Sequence, residues 1–185
     1  ASYRYLNGPV KAWAKNLENR VVVSKDAQLL VQQYLGGDYE MLYNGVELDE
    51  YAAVGARPNS GPTIFFCGRH EERKGLEVLL DAMVHLPPEV RLQIASNGPD
   101  TQRLRAKAAG DHRIEWLGRI SDEEKIARLK GADVFCAPSL HGESFGVVLI
   151  EAMAAGTAIV ASSLDGYLNV ATNEVDALLV EPGSA

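Results

Sequence analysis

Two acidic residues, Glu143 and Glu151, sit on either side of a Ser-Phe-Gly turn in "HGESFGVVLIEAMAAG", His141 to Gly156. Glu143 lies in a loop, whereas Glu151 lies inside an otherwise apolar segment. A carboxylate there is costly to bury without partners. Periodicity leaves three readings of Glu151 open: it bridges neighbouring backbone, it faces water, or it accepts hydrogen bonds from vicinal hydroxyls such as those of a ribose. Gly142 and Gly146 let the backbone turn tightly and approach a ligand. A helix starting near Phe145 would aim its first amides at a phosphate or at polar groups of a ligand.

The second constellation is "GRHEERKG", Gly68 to Gly75, which follows a strand-like run and opens a helix. If the loop curls back, Arg69 and Lys74 meet beside free backbone amides, and such a cluster binds anions. Arg offers a planar fork and Lys a compact charge, a combination that suits a diphosphate. The competing reading pairs both cations with Glu71 and Glu72 on the surface. The loop is neither a G-x-G-x-x-G fingerprint nor a Walker loop, which disfavours nicotinamide cofactors and P-loop ATP chemistry. Two carboxylates also fit a glycoside hydrolase, but that chemistry has no need of Arg69, Lys74 and amides aimed at a diphosphate.

The chain that must position these groups has 185 residues, 46% of them hydrophobic, enough for one domain or a domain with a piece of another. With 18 basic and 25 acidic residues, its net charge of −7 argues against general nucleic-acid binding. Any anion must then be held by a local basic site. No apolar stretch is long enough to span a bilayer, and no signal-peptide pattern opens the chain. Cys67 and Cys136 sit in apolar runs at a spacing that fits no metal site, so they read as reduced, buried thiols of a cytoplasmic protein. The four histidines show no ligand spacing either.

Short apolar runs alternate with amphipathic ones. "RVVVS", "TIFFCG", "VRLQIAS", "RIEWLG", "DVFCAP", "TAIVAS" and "ALLVEPG" read as strands. Between them, "KDAQLLVQQYLGG", "LEVLLDAMVHL", "DTQRLRAKAAG", "SDEEKIARLKG" and "GVVLIEAMAAG" read as helices. Leu76, Leu79, Leu80 and Met83 recur at helical spacing until Pro87-Pro88 stops the run, and Ser121 with Glu124 forms a capping box. Strands apolar throughout, alternating with helices, predict an α/β fold: a doubly wound, mostly parallel sheet covered on both faces. Ligands of such sheets bind beyond the carboxyl ends of the strands. The expected rim is therefore Gly68-Arg69, Ser96-Asn97-Gly98, Gly118-Arg119-Ile120 and Pro138 to Gly146. A Gly- and Pro-rich connector runs from Ala53 to Pro62. The opening, with a helix under way almost at once, and the close, with no helix after the last strand, read as a piece of a longer chain.

Taken together, these residues resemble family 4 retaining glycosyltransferases of the GT-B fold. The likeness rests on Glu-x7-Glu from Glu143 to Glu151 within "P-S-x-x-G-E-S-F-G-x-x-x-x-E-A-M-A-A-G", on "G-R-x-x-x-x-K-G" at Gly68 to Gly75, and on "Y-N-G-V" at Tyr43 to Val46. "LGRISDEEK" and "ADVFCAP" are most similar to the phosphatidylinositol mannosyltransferase branch, which uses GDP-mannose. The resemblance implies the C-terminal, Rossmann-like donor-binding half of the enzyme over residues 42–185. Residues 1–41 would be the tail of the acceptor domain.

By the same resemblance, Arg69 and Lys74 hold the donor diphosphate, and Glu143 contacts the transferred hexose. Gly68, Ser144, Phe145, Gly146 and Val147 lie against sugar and phosphates. Ile120 and Lys125 lie near the base, and Glu151 binds the ribose. The donor is GDP-mannose or a UDP-sugar, with no cofactor and no divalent metal, because cationic side chains do that work. The acceptor, a glycan, lipid or metabolite, would meet the part of the enzyme that precedes this stretch. That part would also carry any contact with the inner face of the membrane. A nucleotide-sugar binding module without turnover, and another GT-B-like enzyme such as an epimerase, remain the alternatives. Two departures stand out. Ser96-Asn97-Gly98 replaces the family's G-x-G after the third strand, and Tyr43 replaces a proline.

Overall fold

A computed structural model describes residues 8–185. The expected early helix falls partly on residues 1–7, outside the described residues, and is seen from Pro9 onward. The chain divides into two compact units, Ala1–Gly45 and Val46–Ala185.

In the first unit, helix α1 (Pro9–Ala14) starts on a proline, whose missing N–H costs nothing at that position. Strands β1 (Val21–Val22) and β2 (Glu40–Met41) pair in parallel. Helix α2 (Lys25–Leu35) lies between them, capped by Ser24, whose Oγ accepts from the Ala27 amide at 3.1 Å. Gly36 and Gly37, both at positive φ, end it. "RVVVS" thus contributes only a two-residue strand, and β2 was not expected from sequence.

The second unit opens with helix α3 (Leu48–Ala53), also unexpected. Strands β3 (Thr63–Cys67), β4 (Arg91–Ala95), β5 (Ile114–Gly118), β6 (Val134–Ala137), β7 (Ala158–Ser162) and β8 (Leu178–Val180) form one sheet in the order β5-β4-β3-β6-β7-β8. Every adjacent pair is parallel. Helices α4 (Leu76–Ala82), α5 (Thr101–Lys107), α6 (Asp122–Gly131), α7 (Val147–Ala155) and the short α8 (Asp165–Leu168) connect them. This is the doubly wound arrangement read from the sequence. Its direction of winding reverses between β3 and β6, and ligands bind at such a reversal.

Alternation along the strands sends side chains to two cores. Phe65, Phe135 and Ile159 face Ile126, Leu129, Leu149 and Ala152 of α6 and α7. Phe66, Leu92, Ile94 and Cys136 face Leu76, Leu79, Leu80 and Met83. The rings of Phe65 and Phe135 lie 6.3 Å apart across adjacent strands. Burying one such side chain contributes about 1.5–3 kcal/mol. The helix expected over "LEVLLDAMVHL" stops at Ala82 and tightens into a 3₁₀ turn over Met83–His85. The approaching prolines remove donors and disfavour helical geometry before them. Of the capping box at α6, the Ser121 half forms, its Oγ accepting from the Glu124 amide at 3.1 Å. The Glu124 carboxylate turns instead to Arg57 and Arg128, each at 2.8 Å. Helix α7 starts at Val147, two residues later than expected, because Gly146 takes φ 87° and delays the helical turn.

Two backbone positions shape the rim. Gly75 has φ 66°, and a Cβ there would collide with the Pro138 carbonyl. The loops after β3 and β6 therefore touch through backbone. Ser96 has φ 79°, a region that L side chains occupy at a cost. This is the place where the resemblance expects glycine. Ser96→Gly should raise the denaturant midpoint by an increment worth about 1 kcal/mol with m unchanged. An unchanged or lower midpoint would mean that the serine is not strained.

Candidate functional site

The order of the sheet brings the loop after β3 and the loop after β6 side by side. Lys74, at the end of a 3₁₀ turn over Glu72–Lys74, reaches across and places Nζ 2.5 Å from Oε1 of Glu143. Their side chains are only 17% and 11% exposed. Ser139 donates to the same oxygen at 2.9 Å. Arg73 approaches it at 3.5 Å, and its other contacts are Glu71 at 2.7 Å and the Gly142 carbonyl at 3.3 Å. The Leu140 amide donates to the Arg73 carbonyl at 2.7 Å and locks the two loops together.

Of the two readings of the basic loop, each cation follows a different one. Lys74 leaves Glu72 alone and turns inward. Arg69 is 67% exposed and leans on Glu71 at 3.5 Å, an exposed contact of small energetic weight. Even so, Gly68, Arg69 and Lys74 line one 90 Å³ pocket together with Ser139, Val148 and Tyr167. Val148, rather than Val147, faces this space. Val147 is exposed, as is Ser144, and the Phe145 side chain is buried. Gly146 is the residue just before α7.

Glu151 neither bridges backbone nor faces open water. It accepts a 2.8 Å hydrogen bond from Lys125, and both side chains are 18% exposed. They line a 210 Å³ pocket with Tyr51 and Asp122. Burial opposes the charge of Lys125, but hydrogen bonds to Glu151 and Asp122 outweigh it and raise its pKa. Burial, then the nearby Glu151 carboxylate, raises the pKa of Tyr51. Lys125 also lines a 290 Å³ pocket with Cys67, Ser96, Arg119 and Ile120. Beyond Ser96 and Arg119 opens a 960 Å³ cleft that Arg69, Asn97 and Gln102 also line. The residues expected at base, ribose and phosphate thus line neighbouring pockets, linked by Lys125, by Ser96 and Arg119, and by Arg69.

Sequence reasoning missed Arg73, Ser139, Tyr167 and Tyr51. Only Ser139 carried a signal, as part of the "P-S" pair before Glu143. His70, whose spacing suggested no ligand role, is a buried tie between loops. Its Nδ1 lies 2.9 Å from the Thr101 hydroxyl and its Nε2 3.2 Å from the Ala95 carbonyl. Burial lowers its pKa, which favours the neutral ring. Among the described residues, no group of three His, Cys, Asp or Glu side chains is placed to hold a metal ion. None of the described helices is long and apolar enough to cross a membrane.

A doubly wound parallel sheet with cationic and acidic side chains at its winding reversal defines a Rossmann-like domain. Residues 49–185 match the family described as glycosyl transferases group 1, and the chain belongs to that family. It is 41% identical over 172 residues to the phosphatidyl-myo-inositol mannosyltransferase of Mycobacterium leprae (strain TN), covering 88% of this chain and 46% of the relative. It is 34% identical over 184 residues to the D-inositol 3-phosphate glycosyltransferase of Xylanimonas cellulosilytica, covering 85% of this chain and 43% of the relative. The chain thus spans about half the length of the curated relatives it matches. Among solved structures, Anabaena HepE in complex with UDP superposes with a TM-score of 0.82 at 21% identity, over all of this chain and 55% of that one. Sucrose-phosphate synthase from Thermosynechococcus elongatus superposes with a TM-score of 0.78 at 26% identity, over 94% of this chain and 47% of that one. The GT-B, Rossmann-like architecture expected from sequence is therefore the one observed.

The two thiols are free, Cys136 buried and Cys67 only half-buried. Burial pushes Cys67 up to about 11 and Cys136 up to about 12. At pH 8 a thiol of pKa near 11 is only ~0.1% thiolate, the nucleophilic form. Iodoacetamide at pH 8 should therefore label both cysteines only after unfolding. Raising the pH towards 10 should expose Cys67 before Cys136. Rapid labelling of the native chain at pH 8 would contradict this.

Proposed function

We propose that the chain is the donor-binding half of a retaining, family 4 glycosyltransferase that moves a hexose from a nucleoside diphosphate sugar to an acceptor. The observation that carries this reading is the meeting of Lys74 with Glu143 at the winding reversal, with Arg69 lining the same pocket as Lys74 and Lys125 paired with Glu151 further along. In this reading Lys74 and Arg69 hold the diphosphate. Glu151 and Lys125 receive the ribose, and Ile120 and Lys125 line the space for the base. Gly68, Ser144, Phe145, Gly146 and Val147 border sugar and phosphates, chiefly through backbone. Glu143 is the electrostatic partner of the hexose.

When the sugar–phosphate bond breaks, negative charge grows on the leaving diphosphate. Prepositioned cations stabilise that charge where it develops, and losing one such donor costs about 3–4 kcal/mol of barrier. The acceptor attacks the face that the diphosphate leaves, so configuration at the anomeric carbon is kept. Its binding groups belong to the part of the enzyme outside this stretch, so the chain alone binds donor without transferring sugar.

The mannosyltransferase relatives favour a mannosyl donor, which the resemblance read from the sequence pairs with GDP, and the complexes of Anabaena HepE with UDP and UDP-glucose favour a uridine sugar. The higher sequence identity of the first group weights the reading towards GDP-mannose. The name of the mannosyltransferase relatives supports a phosphatidyl-inositol acceptor, and we extend that reading ourselves to contact with the inner face of a membrane by a cytoplasmic enzyme.

Calorimetry with GDP, UDP and ADP tests this directly. GDP should bind best, and failure of all three with a folded chain would overturn the reading. Lys74→Ala should lower affinity for the preferred nucleotide by about 10- to 100-fold, the worth of a hydrogen bond to a charged group. The melting transition should stay cooperative. Glu151→Gln should weaken ribonucleotides but leave the 2′,3′-dideoxy compounds unchanged. Equal losses on both would remove Glu151 from the ribose.

A further inference from the structure

Tyr167, on α8, is 1% exposed, and Ser139 is 2% exposed. A phenol buried this deeply needs a partner for its hydroxyl. It has Ser139 Oγ, 3.0 Å away. The direction of that bond follows from the next one. Ser139 Oγ also lies 2.9 Å from Oε1 of Glu143. An ionised carboxylate only accepts, so the single hydroxyl proton of Ser139 points to Glu143, and Tyr167 must donate to Ser139. Burial raises the pKa of the Tyr167 phenol and keeps it protonated. The chain of bonds therefore runs one way, from phenol to hydroxyl to carboxylate, and bonds in series polarise one another.

The contacts that hold the Glu143 carboxylate all fall on one oxygen. Lys74, Ser139 and Arg73 converge on Oε1. Among the described residues, no hydrogen bond engages Oε2. The backbone reinforces this orientation. A Cβ on Gly166, next to Tyr167, would collide with the Glu143 carbonyl, and Gly146 packs against the Tyr167 ring. Helix α8 thus seats both ends of the Glu143 loop.

Building on the donor-site reading, we propose that Tyr167 is a positioning residue for hexose transfer. Through Ser139 it fixes Oε1 of Glu143 and leaves Oε2 to the transferred sugar. Its hydroxyl is engaged by Ser139, so it acts on the sugar through Glu143. Its effect should therefore appear only in the part of the affinity that the sugar contributes.

The test is calorimetry on the whole chain with GDP and UDP against GDP-mannose and UDP-glucose, for Tyr167→Phe, Ser139→Ala, the double variant and Ser139→Thr. Loss of one buried hydrogen bond should weaken the preferred nucleotide sugar about threefold to tenfold and leave the bare nucleotide within about twofold. The double variant should lose no more than either single one, since both interrupt the same chain. Ser139→Thr, which keeps the hydroxyl, should retain most of the affinity. If Tyr167→Phe fails to fold, Ser139→Ala carries the same comparison. If the parent binds its donor but the variants lose sugar and bare nucleotide alike, or lose nothing, the positioning role is wrong and the donor site stands. If the parent binds none of the four ligands, the donor-site reading fails and this role goes with it.

Discussion

The contact between Lys74 and Glu143 organises the second unit. The two residues are 69 positions apart in sequence. They meet because β3 and β6 are neighbours at the point where the sheet's winding reverses. A parallel sheet places all its carboxyl ends on one edge, so the loops after adjacent strands must share space. A cation on one loop and a carboxylate on the other neutralise each other where water is mostly excluded. That pairing removes the penalty each would carry alone. The backbone bond from Leu140 to Arg73 and the close approach of Gly75 to Pro138 then hold the loops in register. Without the ion pair, the same loops would bring unpaired charges together at the sheet's edge.

Several of the positive-φ positions fall at this rim. Gly75, Gly118, Gly142 and Gly146 take positive φ there, and Ser96 does so without being a glycine. Strained backbone persists where surrounding structure over-determines it. Here the surroundings are firm: His70 ties the basic loop to the end of β4, and the Gly98 amide donates to the Thr101 hydroxyl. A rigid edge is what a site needs if its charges are to be in place before the ligand arrives.

Much of this was legible in the sequence, and the exceptions have physical causes. Strands such as "TIFFC" and "RLQIA" declare themselves because burial on both faces demands continuous apolar runs. The spacing of Leu76, Leu79, Leu80 and Met83 declares α4 in the same way. Short elements escape: α3, α8 and β2 are too brief to show a period. The roles proposed for Glu143 and Glu151 rest on the family resemblance, and periodicity alone left Glu151 undecided. Its partner, Lys125, lies on a different helix, and no local pattern encodes a meeting between α6 and α7. Tyr167 was silent for the same reason. A tyrosine in a turn-like stretch reads as surface until the fold buries it against Ser139.

These partners bear on how the proposed site would meet a diphosphate. Lys74 is mostly out of water and held by Glu143. An ammonium carries three donors. Among the described residues, only Glu143 receives a hydrogen bond from it, so two donors remain to turn toward phosphate oxygens. Arg69 and Arg73 stand nearby in weaker, more exposed contacts with Glu71, and an incoming anion can outcompete a screened surface pair. In the proposed site the two kinds of cation would divide the work. Lys74, held by Glu143, would supply a charge that needs no reorganisation, and the exposed Arg69 would supply the fork. Stabilisation of developing charge depends on dipoles and charges that do not move as the bond breaks. On this argument the buried carboxylate of Glu143 acts first on the protein, by anchoring Lys74, and only then on the sugar.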